Sequence, residues 1–289
     1  MARSISIFFY IILFIASLEG SYQGTTVFIH GAIPAFLSFW APPCLTGLNP
    51  LRNYDINYGR GTIGYTLHTS FPERFPLNSL YIYGWTGDLT LESRYNAAED
   101  LYNNLKKLPE PYTIIAHSHG CNVALNLKRV AEAHNDQKFK VELLVLLACP
   151  VQVATSGYIR SSVFEKVFSF YSAKDIGQII DPQGLYFLPY SILTTYNIPI
   201  FSDRIFCPSP NLIQARILIH KRNPWHSDFT LPRFLNYLLP ILDLLEKTTN
   251  IQRKHPSKPL IVNITWQGNL ELYESTYRRL KRIVTDVYS

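Results

Sequence analysis

A serine at the tight junction between an apolar strand and a helix is the residue best placed for nucleophilic chemistry. Ser118 lies in the segment Ala116–Gly120, between a predicted strand, Tyr112–His117, and a predicted helix, Asn122–His134. Small residues on both sides of such a serine let strand and helix approach closely. The first of them is an alanine where glycine is usual, and Gly120 is the second. The helix N-terminus favours negative charge that develops nearby. The alternative is that Ser118 only caps the helix.

A serine hydroxyl becomes a good nucleophile when a base removes its proton, and that base needs a carboxylate to orient it. Asp175 follows the predicted strand Val167–Ser172, and His226 follows the predicted strand Ala215–His220. The carboxyl ends of parallel strands meet at one edge of a sheet, so both residues are expected at the same edge as Ser118. The sequence therefore predicts a Ser-His-Asp triad.

Other acids and histidines compete for these roles. Asp181 would be the acid if the loop after Asp175 folds differently, and Asp203 lies deeper in the same region. Asp228, like Ser227, is expected to cap the helix that follows. The remaining histidines are expected in the core, in the wall of the site or at the surface: His117, His119, His220, His68, His134 and His255.

An anion hole is predicted at the end of the first strand, Thr25–His30. Gly31 allows a backbone bend that would aim the N–H of Ala32 at the reacting oxygen, and the N–H of His119 would be the second donor. His30, Gly31 and Gly120 support this arrangement. Alone, His30-Gly31 could also be an ordinary end of a strand.

Short apolar strands alternate with amphipathic helices along most of the chain, which predicts an α/β fold with a mostly parallel, doubly wound sheet flanked by helices. The strands not yet named are Leu80–Gly84 and Val141–Ala148, and the helices are Ser93–Lys107 and Leu231–Lys247. An apolar run, Leu260–Trp266, and a final amphipathic helix, Leu270–Tyr288, are expected at the C-terminus.

Two long insertions, 32–78 and 181–211, interrupt this alternation. Loops of such length in a compact domain are usually functional or contain small elements of their own. The second insertion contains the apolar stretch Leu185–Phe206 between the predicted acid and histidine. A lid or acyl pocket is expected there, and a purely structural helical cap is the alternative.

Together, these motifs resemble the α/β-hydrolase superfamily over Thr25–Lys247. The resemblance rests on His30-Gly31, the Ser118 turn, and Asp175 and His226 in the family's order. Tyr83–Gly87, followed by Arg94 and an apolar helical face, also resembles the segment before the nucleophile in lipase-like members. The resemblance implies catalysis without a cofactor. The first strand begins soon after the N-terminal apolar run, so the two N-terminal antiparallel strands common in the family are expected to be missing.

The activity expected from this resemblance is hydrolysis of a carboxylic ester, with an apolar or lipid-like acyl group and a small molecule or lipid as substrate. A thioesterase, an amidase or an acyltransferase would use the same triad. A binding protein without catalytic activity on the same scaffold is a further alternative, because one scaffold hosts many functions.

The composition fits one domain, 21–289, preceded by a targeting segment. Of 289 residues, 47% are apolar and 17% are charged, which permits a large core. Arg3 followed by the apolar run Ile5–Leu18 predicts a secretory signal within residues 1–20 and thus export. Since no clean cleavage site follows, an uncleaved membrane anchor is the alternative, and a buried first element is a third.

The net charge of +6 does not point to nucleic acid as a partner, because the basic run Arg278–Arg282 reads as a solvated helix face. A membrane surface stays open as a partner. The four cysteines lack metal-ligand spacing, so no metal is expected. Cys121 and Cys149 read as buried apolar side chains, and Cys44 and Cys207 could form a disulfide in an exported protein.

Overall fold

One mixed sheet organises the protein in the computed structural model, which describes residues 24–32, 45–57, 59–180, 201–248, 260–274 and 283–285. Ten strands are present in these residues: β1 Thr25–Ile29, β2 Gly47–Pro50, β3 Leu80–Gly84, β4 Tyr112–His117, β5 Val141–Leu147, β6 Phe164–Tyr171, β7 Leu212–Ile219, β8 Leu260–Ile264, β9 Leu270–Glu274 and β10 Ile283–Thr285. The helices are α1 Arg60–Ser70, α2 Leu91–Leu105, α3 Gly120–Ala133, α4 Val153–Ser156, α5 Pro232–Leu235 and α6 Leu238–Lys247.

The strand order is β10-β9-β8-β7-β6-β5-β4-β1-β3-β2. The seven strands from β8 to β3 in this order are parallel to one another. β2 is antiparallel to β3 at one edge, and β9 and β10 continue the other edge in antiparallel fashion. The predicted α/β fold with a mostly parallel sheet flanked by helices is therefore confirmed.

The core lies on both faces of this sheet. Neighbouring residues of β4 face opposite sides: Ile114 packs into a cluster with apolar residues of α2 and α3, and Ile115 into a cluster with residues of α1, α5 and α6. Strands covered on both faces are apolar along most of their length, which explains runs such as Val27–Ile29 and Leu143–Leu147. The described helices include none that is both long and apolar enough to cross a bilayer.

Most predicted elements are present with shifted ends. β6 and β7 each begin three residues before the predicted start, and α2 begins at Leu91 because the Thr90 side chain accepts a hydrogen bond from the N–H of Ser93 at 3.1 Å. The predicted helix Leu231–Lys247 divides into α5 and α6. Pro240 has no N–H to donate to the carbonyl of Asn236, so a continuous helix would lose a hydrogen bond at the division.

The predicted C-terminal helix Leu270–Tyr288 is wrong. Leu270–Glu274 is the strand β9, which forms a hairpin with β8, and Ile283–Thr285 is β10. Gly268 has a φ of +82° in the connecting turn, a conformation that favours glycine. Leu270 and Leu272 are both buried, two residues apart, as in a strand with one face in the core.

The first insertion contains β2 and α1, so it carries elements of its own. β2 supplies the antiparallel strand beside β3, and it follows β1 in the chain. Several predictions lie outside the described residues: the targeting segment 1–20, the basic run Arg278–Arg282, His255, a disulfide of Cys44, and the apolar part of the second insertion, 181–200.

Candidate functional site

Ser118 occupies a strained turn between β4 and α3. Its φ is +54°, a left-handed conformation that costs a residue other than glycine about 1–2 kcal/mol. The N–H of Ser118 donates to the carbonyl of Leu147 at the end of β5, at 2.9 Å. A Cβ on Gly120 would lie 2.4 Å from the carbonyl oxygen of His30, so only glycine lets α3 begin this close to β1. The predicted strand-turn-helix at Ser118 is present.

The structure brings together the three residues of the predicted triad. The Nε2 atom of His226 lies 2.8 Å from the Oγ atom of Ser118, and its Nδ1 atom lies 2.8 Å from Oδ2 of Asp175. With the carboxylate as acceptor, Nδ1 carries the proton and Nε2 accepts from the Ser118 hydroxyl. The side chain of Asp175 is 1% exposed and that of His226 is 28% exposed. A solvent-facing base is thus oriented by a buried acid.

The loop after β6 fixes the position of Asp175. The Oδ1 atom of Asp175 accepts a hydrogen bond from the N–H of Gln178 at 3.1 Å, and Arg204 donates to the carbonyl of Asp175 at 2.8 Å. Gln178 is fully buried and donates to the carbonyl of Cys149 at 2.8 Å, which ties this loop to the end of β5. The acid therefore has contacts to three segments of the chain.

His226 is closely packed against two residues that the sequence did not single out as partners of the base. His117 donates from Nε2 to the carbonyl of His226 at 3.0 Å, and the two ring centroids are 4.8 Å apart. A Cβ on Gly177 would lie 2.9 Å from Cγ of His226. Both contacts restrict the position of His226.

Burial keeps the neighbouring histidines neutral. It lowers the pKa of His117 to about 3, with a further contribution from the nearby His226. It also lowers the pKa of His119 well below the ordinary value, helped by Arg94. A neutral His117 that donates from Nε2 cannot compete for protons with the base. His117 is half-buried at the end of β4, in the wall of the site, and its contact with His226 spans 109 residues of sequence, so local patterns gave no signal for it.

One residue predicted to support the anion hole, Gly31, lies against the serine. A Cβ on Gly31 would be 2.7 Å from Cβ and 3.2 Å from Oγ of Ser118, so this glycine packs directly against the serine. Ala32 follows Gly31, and His119 follows Ser118 as the N-cap residue of α3. Stabilisation of an oxyanion by the Ala32 and His119 amides stays a prediction.

His30 connects the end of β1 to the end of β3. Its Nδ1 atom donates to the carbonyl of Gly31 at 2.5 Å, while its Nε2 atom accepts from the N–H of Trp85 at 3.3 Å. The indole of Trp85 donates in turn to the carbonyl of His30 at 2.9 Å. Burial lowers the pKa of His30 to about 3, so the ring is neutral and both nitrogens keep these roles.

The competing residues have other environments. Asp228 accepts from the N–H of Trp225 at 2.9 Å and forms an ion pair with Arg233, so it caps the short turn His226–Thr230, to which it belongs. The helix that Asp228 and Ser227 are expected to cap begins as α5 after Leu231, without a side-chain cap hydrogen bond. Asp203 pairs through its backbone with Val151, and Asp181 lies outside the described residues.

Two further histidines, His68 and His134, have partners outside the triad. His68 bonds to the carbonyl of Phe75 at 2.9 Å, and His134 lies 3.6 Å from a carboxylate oxygen of Glu99. Within the part of the chain that the structure describes, no three His, Cys, Asp or Glu side chains are grouped so that they could hold a metal ion.

Exposed apolar side chains adjoin the acid and the base in the chain. Ile176 follows Asp175, and Trp225 precedes His226; both are exposed. Ile180 and Phe201 extend the apolar surface, and their segments are joined by a hydrogen bond from the N–H of Ser202 to the carbonyl of Ile179 at 3.3 Å. An exposed apolar patch next to a reactive group is suited to an apolar ligand.

No protein-family model matches the sequence, and no curated protein matches it either. Among solved structures, the chain is similar to an arylesterase at 14% identity, with a TM-score of 0.38 over 78% of this chain and 76% of that chain. It is also similar to an esterase of Pyrobaculum calidifontis in a monoclinic crystal form, at 13% identity and a TM-score of 0.31, over 85% and 68% of the two chains. A structure of the hyperthermophilic esterase from that archaeon gives 12% identity and a TM-score of 0.30, over 85% and 66%.

Proposed function

We propose that this protein is a serine hydrolase that cleaves carboxylic esters with an apolar acyl group through an acyl-enzyme. The proposal is carried by two contacts of 2.8 Å on the ring of His226. One joins Nε2 to Oγ of Ser118, and the other joins Nδ1 to Oδ2 of Asp175. A serine, a histidine and a buried carboxylate in this order form the arrangement in which the histidine removes the serine proton.

The reaction begins when the Oγ atom of Ser118 attacks the ester carbonyl and its proton moves to Nε2 of His226. Asp175 stabilises the imidazolium that forms, through the hydrogen bond to Nδ1. The negative charge on the carbonyl oxygen is accommodated by the amides of Ala32 and His119 and by the N-terminus of α3.

The tetrahedral intermediate collapses when the bond to the alcohol oxygen breaks and His226 returns its proton to that oxygen. The acyl group is then bound to Ser118. Water attacks the acyl carbonyl while His226 takes its proton, and the acid is released as the proton returns to Oγ. No step requires a residue outside the triad and its amide donors.

The preference for an apolar acyl group is inferred from the surroundings of the triad. Ile176 and Trp225 adjoin the acid and the base in the chain, and both are exposed. An acyl chain that covers them is removed from water together with their surface. This burial favours binding by about 25 cal/mol per Å² of apolar area. Longer chains are thus expected to bind better until this surface is covered.

A series of p-nitrophenyl esters with acyl chains of two to sixteen carbons tests the proposal. We expect kcat/KM to rise with chain length over the shorter esters and Ser118→Ala to abolish turnover. A matched control is Ser79→Ala, because Ser79 lies before β3 at the opposite edge of the sheet and bonds only to the carbonyl of Pro76 in the described structure. Turnover that survives in Ser118→Ala, or a folded protein that cleaves none of the esters, contradicts the proposal.

A further inference from the structure

Two turns at the carboxyl ends of β7 and β8 form a single surface beside the site. Residues 220–226 follow β7, and residues 265–269 follow β8, which is the parallel neighbour of β7. The ring of His220 stacks on that of Trp266 with centroids 3.7 Å apart and planes 4° from parallel. The N–H of His220 also donates to the carbonyl of Ile264 at 2.7 Å. These contacts fix the two turns relative to each other.

The first of these turns projects two basic side chains. His220 and Lys221 have φ angles of +52° and +62°, and Ile219 and Arg222 exchange two backbone hydrogen bonds of 2.9 Å. Consecutive left-handed residues in this pattern make a tight hairpin-type turn. Lys221 and Arg222 are exposed at its tip.

Two tryptophans are exposed beside these cations. Trp266 is 78% exposed and Trp225 is 71% exposed, although tryptophan is among the residues that proteins usually bury most extensively. We call Lys221, Arg222, Trp225 and Trp266 the tryptophan–basic surface.

The charge of this surface is not balanced within its own turns. Neither 220–226 nor 265–269 contains an acidic residue. The nearest acids in the chain are engaged elsewhere: Asp228 is buried in its ion pair with Arg233, and Glu271 is buried and accepts from Asn263 at 2.9 Å. The surface therefore presents positive charge and aromatic area together.

We propose that the tryptophan–basic surface docks the protein on an anionic lipid–water interface. Indole rings combine a large apolar body with one polar N–H, which suits the boundary between acyl chains and headgroups. Each lysine or arginine near an anionic bilayer contributes about a fivefold gain in partitioning.

Docking in this way would turn the Ser118 site towards the lipid. The turn 220–226 ends at His226, and β7 and β8 run parallel to β4, so their carboxyl ends lie at the same edge of the sheet as Ser118. Delivery of a lipid ester to the site rests on the proposed function, whereas the docking does not.

Partitioning of the full chain onto vesicles tests the docking. Phosphatidylglycerol and phosphatidylcholine vesicles are compared at about 0.1 M salt, with Ser118→Ala protein so that no lipid is consumed. We expect binding to phosphatidylglycerol, reduced about 30-fold by the double variant Lys221→Gln/Arg222→Gln, the product of about fivefold per cation. Trp266→Ala is expected to weaken vesicle binding about tenfold. This loss corresponds to roughly 55 Å² of ring area that the parent protein withdraws from water on docking.

The control is Lys107→Gln/Lys138→Gln, which removes the same charge from two exposed lysines at the opposite edge of the sheet. All variants share residues 1–20, so differences between them report the surface alone. Hydrogen exchange on vesicles gives a local readout, in which amides of 220–226 and 265–269 should gain protection.

Equal losses in the two double variants, or vesicle binding that leaves both turns unprotected, would overturn the docking. Binding of a single-stranded oligonucleotide that depends on Lys221 and Arg222, without binding to vesicles, would also overturn it and identify a nucleic-acid surface. Because none of these measurements uses turnover, failure of the docking leaves the proposed ester hydrolysis standing. Loss of activity would likewise leave the docking intact.

Discussion

Replacement of Gly177 by alanine should lower the rate at which Ser118 reacts, while the protein stays folded. The added Cβ would lie 2.9 Å from Cγ and 3.2 Å from Nδ1 of His226, whereas carbon atoms pack best at about 3.5–4.0 Å. The imidazole must therefore retreat by about 0.6 Å from a position that is fixed by two 2.8 Å contacts. Since a misplacement of about 1 Å can cost about 100-fold in rate, we expect about a tenfold loss.

The backbone at Gly177 does not oppose the substitution, because it is not among the residues with a positive φ. The free energy of unfolding should thus fall only by the cost of overpacking, about 1–3 kcal/mol. The second-order rate of phosphonylation by a fluorophosphonate measures the effect, because it reports attack by the activated serine.

Gly157→Ala is the matched control, since a Cβ there has nothing within 4 Å and its φ is −70°. Gly157→Ala should label at the parent rate. If Gly177→Ala, folded by circular dichroism, also labels at the parent rate, the packing of Gly177 against His226 does not position the imidazole.

Three further outcomes follow from the contacts of the site. Asp175→Asn should lower kcat for an ester about 10⁴-fold, as expected when the base loses its correct tautomer, and a loss below tenfold would mean that another acid orients His226. His117→Phe should lower kcat more than His117→Gln, whose amide can still donate to the carbonyl of His226; equal rates would show that this hydrogen bond does not position the base. Because His30 and His117 titrate near 3 when folded and near 6.5 when unfolded, the unfolded chain binds more protons between these values, so stability falls as the pH falls below about 6.5. The free energy of unfolding, measured in urea, should fall by up to about 1.4 kcal/mol per pH unit for each histidine between pH 7 and 5. His117→Gln should remove one such contribution. An unchanged slope in this variant would contradict a neutral His117 in the folded protein.

The local part of the site could be predicted from the sequence. The strand before Ser118 has a buried apolar centre, Ile114–Ala116, because both of its faces are covered, and the helix after it has one apolar face. Asp175 and His226 each follow such a strand, so the parallel topology alone brings them to one edge. These features depend on patterns within about fifteen residues.

Contacts across long stretches of sequence could not be predicted in this way. His117 and Gly177 look like a strand end and a loop residue, and their positions against His226 depend on how the β4, β6 and β7 edges align. The C-terminal segment is predicted as a helix because Tyr273, Tyr277 and Leu280 recur at helical spacing, whereas Leu270 and Leu272 have the spacing of a strand. The free edge of β8 and the turn at Gly268 decide in favour of a strand.

Identification of the residue that reacts with a fluorophosphonate is the strictest test of Ser118 as the nucleophile. Intact-mass analysis followed by peptide mapping should find one adduct, on Ser118, formed slowly in Asp175→Asn and absent from Ser118→Ala. An adduct on another residue, or the same labelling in a folded Ser118→Ala protein, would contradict the assignment of Ser118 as the nucleophile.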